Sequence, residues 1–346
     1  MEPLVSILMP AHNAERWIAE TLECAVGQTW VDKEIIVVDD GSTDSTCAVA
    51  RRFERHGVKV FTQARAGACA ARNRALRVSR GQLIQWLDAD DVLAADKIER
   101  QVRSFLSCGD DRVVYTCSWG RFYYCVERAR IRHSVLWEDA SALDWLLLRF
   151  GHCVYMPIHS FLISRSLAEM AGPWDERLRR DQDGEYVCRV VAASRFVKFV
   201  SDAWCYYRDT GRGSTSHNAS VEAFQSVVLA VKLCAERLLQ LEDSPRIRMA
   251  AAKYCIMNAE MLARDAPDLG EHLREIAREL APGSECALSG RPRMRWLRWA
   301  WHCVPWRVRR RFFVAAEHGP RLVDWCLWKA GCLARCRSSG DDSAPS

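Results

Sequence analysis

Four short apolar runs alternate with three helix-length stretches between Leu4 and Leu87, and this alternation constrains the fold more than any other feature of the chain. Leu4 to Met9 reads as a strand, broken by Pro10, Ala11, His12 and Asn13. Ala14 to Val26 follows with helical spacing, placing Trp17, Ile18, Thr21, Leu22 and Ala25 on one face. Lys33 to Val38 carries Ile35, Ile36, Val37 and Val38 in succession, the mark of a strand covered on both faces. Thr43 or Asp44 can cap a second helix that runs to about Arg55 and stops at Gly57. Val58 to Phe61 is a third strand, Gly67 to Val78 a third helix and Leu83 to Leu87 a fourth strand. A β-α-β-α-β-α-β order at this spacing implies an α/β fold, a mostly parallel sheet with helices on both faces.

In such sheets ligands sit outside the carboxyl ends of the strands. Three of those ends are polar here: Pro10-Ala11-His12-Asn13, Asp39-Asp40-Gly41-Ser42 and Asp88-Ala89-Asp90-Asp91. Crowded carboxylates repel one another, and a cation relieves the repulsion. Oxygen-only ligands suit a hard ion, Mg2+ or Mn2+, which completes its shell with substrate phosphates. A lone Asp-x-Asp is more often a solvated acidic turn or a helix cap; the convergence of three strand ends argues against that. No Gly-x-Gly-x-x-Gly follows the first strand and no Gly-Lys-[Ser/Thr] loop is present, which disfavours Rossmann-type dinucleotide binding and P-loop chemistry. A bound diphosphate then depends on the metal and on a basic residue such as Arg72.

The net charge of +5 is unevenly spread. Arg291 to Arg337 holds 12 Lys and Arg against Glu317 and Asp324, together with Trp296, Trp299, Trp301, Trp306, Trp325 and Trp328. Trp and Arg mixed at helical spacing suit a membrane interface, where rings sit at headgroup depth and cations meet anionic lipid. A basic surface helix packed by its aromatics is the plain competitor, and nucleic-acid binding is not expected. Before this segment the period is helical, over Val221 to Leu241, Pro245 to Arg264 and Leu269 to Leu280, without a catalytic motif. The chain divides on this reading into a catalytic domain (1–218), a helical region (219–290), a basic Trp-rich segment (291–337) and a disordered tail (338–346). Sixteen cysteines are scattered, none in a Cys-x-x-Cys pair, and no signal peptide precedes the first strand. They read as mostly reduced, buried small hydrophobes in a cytoplasmic protein. No apolar run approaches the ~20 residues that span a bilayer.

At this point the motifs resemble a known family. Val5-Ser-Ile-Leu-Met-Pro-Ala-His-Asn-Ala-Glu15, Gln28-Thr29, Glu34-Ile-Ile-Val-Val-Asp-Asp-Gly-Ser-Thr-Asp44, Gly67 through Ala71-Arg72-Asn73, and Gly81 through Leu87-Asp-Ala-Asp-Asp91 are similar in order and spacing to the family-2 inverting glycosyltransferases of the GT-A fold. The resemblance implies a donor site built from Pro10, His12, Asn13, Glu15, Asp39, Asp40, Arg72, Asp88, Ala89 and Asp90, with His12 and Asp40 at the nucleotide base and Asp88 and Asp90 at ribose and metal. His12 stands where the family more often has Tyr. Downstream, Ala171-Gly-Pro-Trp-Asp-Glu176 resembles the family's acceptor-side loop, and Asp181-Gln-Asp-Gly-Glu-Tyr186 the segment that carries its base. This implies Asp183 as base, with Gln182 in place of the usual Glu leaving Asp181 as the alternative, and His159, Trp174, Asp175 and Glu176 on the acceptor side. Read alone, these are an acidic first helical turn, a structural histidine and a packed tryptophan. Tyr206 to Ser216 resembles a closing loop whose Arg208 and Arg212 meet the diphosphate.

The implied activity is inverting transfer of a sugar from a nucleotide-sugar, UDP-sugar favoured, to a saccharide or lipid-linked acceptor. Bacterial surface polysaccharide, lipopolysaccharide or glycolipid assembly is the implied setting. The location is then the cytoplasm, with a peripheral seat on the cytoplasmic face of the inner membrane as the finer expectation. The competing class is a non-catalytic sugar- or partner-binding protein that kept the fold; the presence of Asp88, Asp90 and Asp183 together favours the enzyme. A nucleotidyltransferase would need a Gly-rich basic loop after the first strand, which His12-Asn13-Ala14 does not supply.

Overall fold

The computed structural model of the chain describes residues 2–210 and 219–283. Its first sheet is built from β1 (Val5–Ala11), β2 (Lys33–Asp40), β3 (Val58–Gln63) and β4 (Leu83–Trp86), all parallel in the order β3-β2-β1-β4. A short β9 (Ile163–Ser164) adds antiparallel to β4 at the edge. Side chains alternate between faces along a strand, and the two faces feed two cores. Leu8, Ile36, Val38, Ile84 and Trp86 lie in one of them; Ile7, Met9, Ile35, Val37 and Leu83 lie in the other. Ile35 to Val38 are all buried, as a strand covered on both faces requires.

The crossovers are α1 (Ile18–Val26), α2 (Thr46–Arg51) and α3 (Ala68–Val78). Two of them are shorter than the spacing suggests. Ala14 to Trp17 form a turn outside α1, and the Ala14 N–H donates to Thr46 Oγ1 at 2.7 Å. α2 stops at Arg51 and a single 3-10 turn, Glu54–His56, carries the chain to Gly57, whose φ of +83° ends it.

The residues between Val92 and Pro157, for which the sequence reading gives no strands, supply most of a second sheet. Its centre is a parallel pair, β6 (Val113–Phe122) and β10 (Phe196–Arg208). β5 (Val92–Leu93) and β8 (Ala140–Ser141) pair antiparallel with β10, and β7 (Arg130–Ile131) with β6. The register of β10 breaks between Val200 and Trp204, a bulge that re-aims its second half. α4 (Lys97–Cys108), α5 (Ala142–His152), α6 (Arg165–Ala171) and α7 (Gln182–Ala193) cover the sheets. α8 (Val221–Leu241), α9 (Pro245–Leu262) and α10 (Pro267–Leu280) follow in succession. α8 packs on α7, α9 on α5 and α8, and α10 on α9; all three contribute to the same core as Trp86 and Trp145. Cysteines among the described residues are free thiols, several of them buried in these cores. No described helix is long and apolar enough to cross a membrane. The basic Trp-rich segment 291–337 and the tail lie outside the described residues.

Strand order places the functional edge. The chain steps from β1 out to β2 and β3, then returns to place β4 on the other side of β1. At such a switch point the crossovers diverge and leave a crevice beyond the strand ends, here between Pro10–Asn13 and Asp88–Asp91. β4 is held close to β1 at its entry: Gly81 N–H donates to Ser6 Oγ at 2.8 Å. A Cβ on Gly81 would meet Ser6 Oγ and lie 2.6 Å from Ser6 N and 2.8 Å from Leu4 O. Gly81→Ala should therefore lower stability by about 1–3 kcal/mol through backbone displacement, read as a lower urea midpoint at unchanged slope.

Candidate active site

The site is organised by one buried guanidinium. Arg72 projects from α3 and is 4% exposed. Its Nη2 donates to Asp88 Oδ1 at 2.7 Å and lies 3.3 Å from Asp183 Oδ1, while Nη1 donates to Gln182 Oε1 at 3.0 Å. It also lies over the Trp174 ring, 4.3 Å from the centroid. Burial works against its charge, yet Asp88 and then Asp183 carry its pKa above the ordinary value. The end of β4 and the start of α7 are thus drawn to one cation.

The carboxylates around it differ in environment. Burial pushes Asp183 up to about 7, with Arg72 opposing and Asp88 and Asp181 adding to the rise. Asp90 is raised well above its ordinary value, by burial first and then by the charges of Asp91 and Asp88. A divalent cation beside Asp88 and Asp90 would relieve that crowding, and the donors are all oxygen, so the pair fits Mg2+ or Mn2+. Among the described residues no three His, Cys, Asp or Glu side chains are arranged to hold an ion by themselves. The remaining ligands of a cation here would come from phosphate and water.

On the donor side the structure redistributes the expected roles. His12 Nδ1 lies 2.9 Å from the Asp40 carbonyl oxygen. A carbonyl only accepts, so the ring donates from Nδ1 and leaves Nε2 as its acceptor. Asp40 is fully engaged: Oδ1 accepts from Gln63 Nε2 (2.7 Å) and Ala66 N (2.8 Å), and Oδ2 from Gly67 N (2.8 Å). Its carboxylate fastens the loop that starts α3, where Gly67 has φ +104°, and is not open to a base. Asp39 differs, because its Oδ1 is buried without a partner. Asn13 and Glu15, expected to bind donor, instead staple two loops. Asn13 Oδ1 accepts from Thr43 N at 2.9 Å, and Glu15 Oε2 from Ser45 N at 2.9 Å. Pro10 is half-buried in β1, beyond the last β4 pairing at Leu8, where a missing N–H costs no ladder bond. Ala89 is buried and its carbonyl accepts from Thr21 Oγ1 at 3.0 Å.

The acceptor-side expectations need correction. His159 is fully buried and therefore lines no surface; its Nδ1 is 2.9 Å from Asp91 Oδ2. Burial alone would lower its pKa, but the Asp91 charge outweighs this and raises it. Trp174 is 2% exposed and stacks on Tyr186 at 4.0 Å, with Trp86 edge-on, so its faces are spent on packing. Asp175 pairs with Arg177 at 2.6 Å, and Glu176 Oε1 accepts from Asn73 Nδ2 at 2.8 Å. Both line a cavity of about 590 Å³ beside Arg77 and Arg189 whose lining does not include Asp183. Arg208 is 1% exposed and does not reach for a diphosphate. Its N–H donates to Asp91 Oδ1 (2.7 Å), Nε to Asp90 O (2.6 Å), and Nη2 pairs with Glu20 (2.9 Å). Arg212 lies outside the described residues.

Between the two candidate bases the geometry separates. Asp181 caps α7 in the left-handed conformation (φ +57°), and its Oδ2 accepts from Tyr254 Oη on α9 at 2.9 Å, away from Arg72. Asp183 is the one beside Arg72 and Asp88. Sequence reasoning placed Asp91 only in the strand-end carboxylate cluster and gave no role to Asn73 or Tyr254. Asp91 ties β10 and His159 to the strand end, and Asn73 holds Trp174 through both its backbone N–H (2.8 Å) and carbonyl (3.0 Å). Asp91 and Asn73 stand in the quoted motifs; Tyr254 carries no sequence signal.

Comparison with known proteins places this geometry. Residues 6–169 match the family model described as Glycosyl transferase family 2. An uncharacterized glycosyltransferase of Haemophilus influenzae is 32% identical over 154 residues, 43% of this chain and 58% of its own. An Escherichia coli protein named UDP-Glc:alpha-D-GlcNAc-diphosphoundecaprenol beta-1,3-glucosyltransferase is 39% identical over 104 residues, 30% of this chain and 41% of its own. The chain thus spans 58% or less of the length of these relatives. Among solved structures, S. aureus TarS 1-349 in complex with UDP superposes with a TM-score of 0.63 at 17% identity, covering 82% of this chain and 83% of that one. The fold is that of the GT-A glycosyltransferases.

Asp40→Asn should cost on the order of 2 kcal/mol of stability, because an amide cannot accept all three donors that the carboxylate now holds. Urea unfolding reads the loss, and an unchanged midpoint would refute the fastening role.

Proposed function

We propose that the protein is an inverting glycosyltransferase that moves a sugar from a nucleoside diphosphate donor to a hydroxyl of a saccharide or lipid-linked acceptor. The observation that carries this reading is the single Arg72 guanidinium joining Asp88 to Asp183. It sets a carboxylate of the proposed leaving-group side beside the carboxylate proposed to act on the acceptor. In the reaction the acceptor oxygen bonds to the anomeric carbon as the bond from that carbon to phosphate oxygen breaks. Asp183 takes the acceptor's proton, and no covalent sugar–enzyme intermediate forms. A divalent cation held by Asp88 and Asp90, when bound, stabilises the charge that develops on the leaving diphosphate. Arg72 bridges the two carboxylates, and its charge opposes the rise in the Asp183 pKa. The nucleotide base lies beyond β1 and β2, where His12 offers a ring face and Asp39 an acceptor.

A uridine nucleotide is the favoured donor. Support comes from the E. coli relative, whose name gives UDP-Glc, and from TarS, solved with UDP and with UDP-GlcNAc. An acceptor on a lipid diphosphate is in keeping with the E. coli relative's name. A Pyrobaculum calidifontis mannosyltransferase of similar fold, TM-score 0.52 at 16% identity, is solved with GDP-Man and Mn2+, so guanosine and Mn2+ belong in the test. For the segment 291–337 the proposal is a peripheral seat on an anionic membrane at the cytoplasmic face, from its interleaved Trp and Arg. Surface polysaccharide or glycolipid assembly is the proposed setting.

Thermal stabilisation by UDP, GDP, dTDP and CMP, each with and without Mn2+, tests the donor site; a folded protein that responds to none refutes it. In the responding pair, Asp183→Asn should lower turnover, read as nucleotide release, by about 10²–10⁴-fold while nucleotide binding stays within a few-fold. A base must be ionised, so with Asp183 near 7 wild-type turnover should fall as pH drops through that value and level off above it. Near-normal turnover in Asp183→Asn would remove the base assignment. Deleting residues 291–346 should abolish sedimentation with phosphatidylglycerol vesicles; equal sedimentation counts against the membrane seat.

A further inference from the structure

Asp183 follows a turn that is gripped from two sides. On one side stands Arg72 of α3, which donates to Gln182 Oε1 at 3.0 Å and lies 3.3 Å from Asp183 Oδ1. On the other stand two hydroxyls from the helices beyond residue 219. Ser226 Oγ on α8 accepts from Arg179 N at 2.8 Å and from Arg180 N at 3.0 Å, and donates to Arg180 O at 2.8 Å. A hydroxyl has one proton and two lone pairs, so this buried side chain is used up on the backbone of two consecutive residues. Tyr254 Oη on α9 donates to Asp181 Oδ2 at 2.9 Å. Its ring is set edge-on against Phe150 of α5, with 4.6 Å between centroids. Arg179, Arg180 and Asp181, the residues that lead into Gln182 and Asp183, are thus all held from the helical region.

Asp181 takes an unusual form under that hold. An Asp at the start of a helix ordinarily accepts from a backbone N–H of the first turn. Asp181 makes no such bond. Its carboxyl is turned to Tyr254 and fits against Gly184, where a Cβ would lie 2.9 Å from Asp181 Cγ. Its φ of +57° lies in the left-handed region, which costs a non-glycine residue energy and persists only where the surroundings impose it. The chain leaves Asp181 in such a direction that Gln182 and Asp183 both face Arg72. Asp183 stops 3.3 Å from the guanidinium, whereas Asp88 closes to 2.7 Å.

We propose that Ser226 and Tyr254 are positioning residues for the transfer: acting through residues 179–181, they hold Asp183 in the orientation in which it takes the acceptor's proton. This rests on the glycosyltransferase reading. It gives the helical region, which carries no catalytic motif, a share in the rate. A reacting group misplaced by about 1 Å can lose on the order of 10²-fold.

The test is a double-mutant cycle. Nucleotide release is followed with UDP-glucose, UDP-N-acetylglucosamine and GDP-mannose, each with Mn2+, and the fastest of the three is carried through. Tyr254→Phe keeps the ring and removes the hydroxyl; Ser226→Ala removes the other hold. Each is made in wild type and in Asp183→Asn, and assayed below its melting temperature. In wild type each change should lower kcat about tenfold, with the donor KM within about twofold. In Asp183→Asn no base is left to position, so the same change should alter the residual rate by less than about twofold. A hydroxyl that served stability alone would act equally in both backgrounds, and equal factors overturn the proposal. An unchanged kcat in folded Tyr254→Phe overturns it as well; Ser226→Ala carries the same expectation and decides where Tyr254→Phe does not fold. Equal release by wild type and Asp183→Asn removes the base, and the positioning role with it. No release by wild type from any of the three donors overturns the glycosyltransferase reading itself.

Discussion

A buried guanidinium is tolerable only when charge and hydrogen bonds surround it, and much of this molecule can be understood as the surroundings of Arg72. Its partners come from β4 (Asp88), from the first turn of α7 (Gln182 and Asp183) and from the loop before it (Trp174). Removing the arginine would leave Asp88 and Asp183 facing each other, with only Arg208 and His159 to offset the charge of the cluster that includes Asp90 and Asp91. The next residue, Asn73, grips the backbone of Trp174 on both sides. One turn of α3 therefore sets both the electrostatics of the crevice and the path by which the chain enters α7.

Around that centre the acidic residues divide into two trades, often within a single pair of neighbours. Asp40, Asp44, Asp91 and Asp181 spend their oxygens on backbone N–H groups, hydroxyls or His159. Asp88 and Asp183 meet the Arg72 guanidinium, Asp90 is crowded by Asp88 and Asp91, and Asp39 keeps one oxygen buried without a partner. The satisfied carboxylates stand where the chain turns at a strand end or helix start. The chain must turn sharply there, and the turn needs acceptors for its own N–H groups.

How much of this could be read from residues alone follows the range of the interaction. The four parallel strands of the first sheet and their helices were legible, because hydrophobic period and turn chemistry are local. So was the convergence of Asp88 with an acidic residue near 183, through motif resemblance. The second sheet was not, since β6 mixes Thr116, Cys117, Ser118 and Gly120 with its apolar residues and β10 is interrupted by a bulge. Roles that depend on who meets whom across the fold were not legible. Asn13 and Glu15 look like ligands until Thr43 and Ser45 are seen to claim them. Trp174 and His159 look like surface groups until Tyr186 and Asp91 are seen to cover them. Gln182, a departure from the family pattern, proves to keep the oxygen that matters, the one accepting from Arg72.

The bond between Tyr254 and Asp181 has a bearing on how such a chain could be recombined. Asp181 is strained at φ +57° and Gly184 leaves room for its carboxyl, so the first turn of α7 takes its shape from a hydroxyl on α9. The helices beyond residue 219 are therefore not a detachable appendix. A chimaera joining this chain's sheets to another protein's helical tail would inherit Asp183 without the strut that aims it, unless the incoming tail brought a hydroxyl to the same spot. Crossover points chosen after α9, not before α8, would keep the mechanical frame around Asp183 intact.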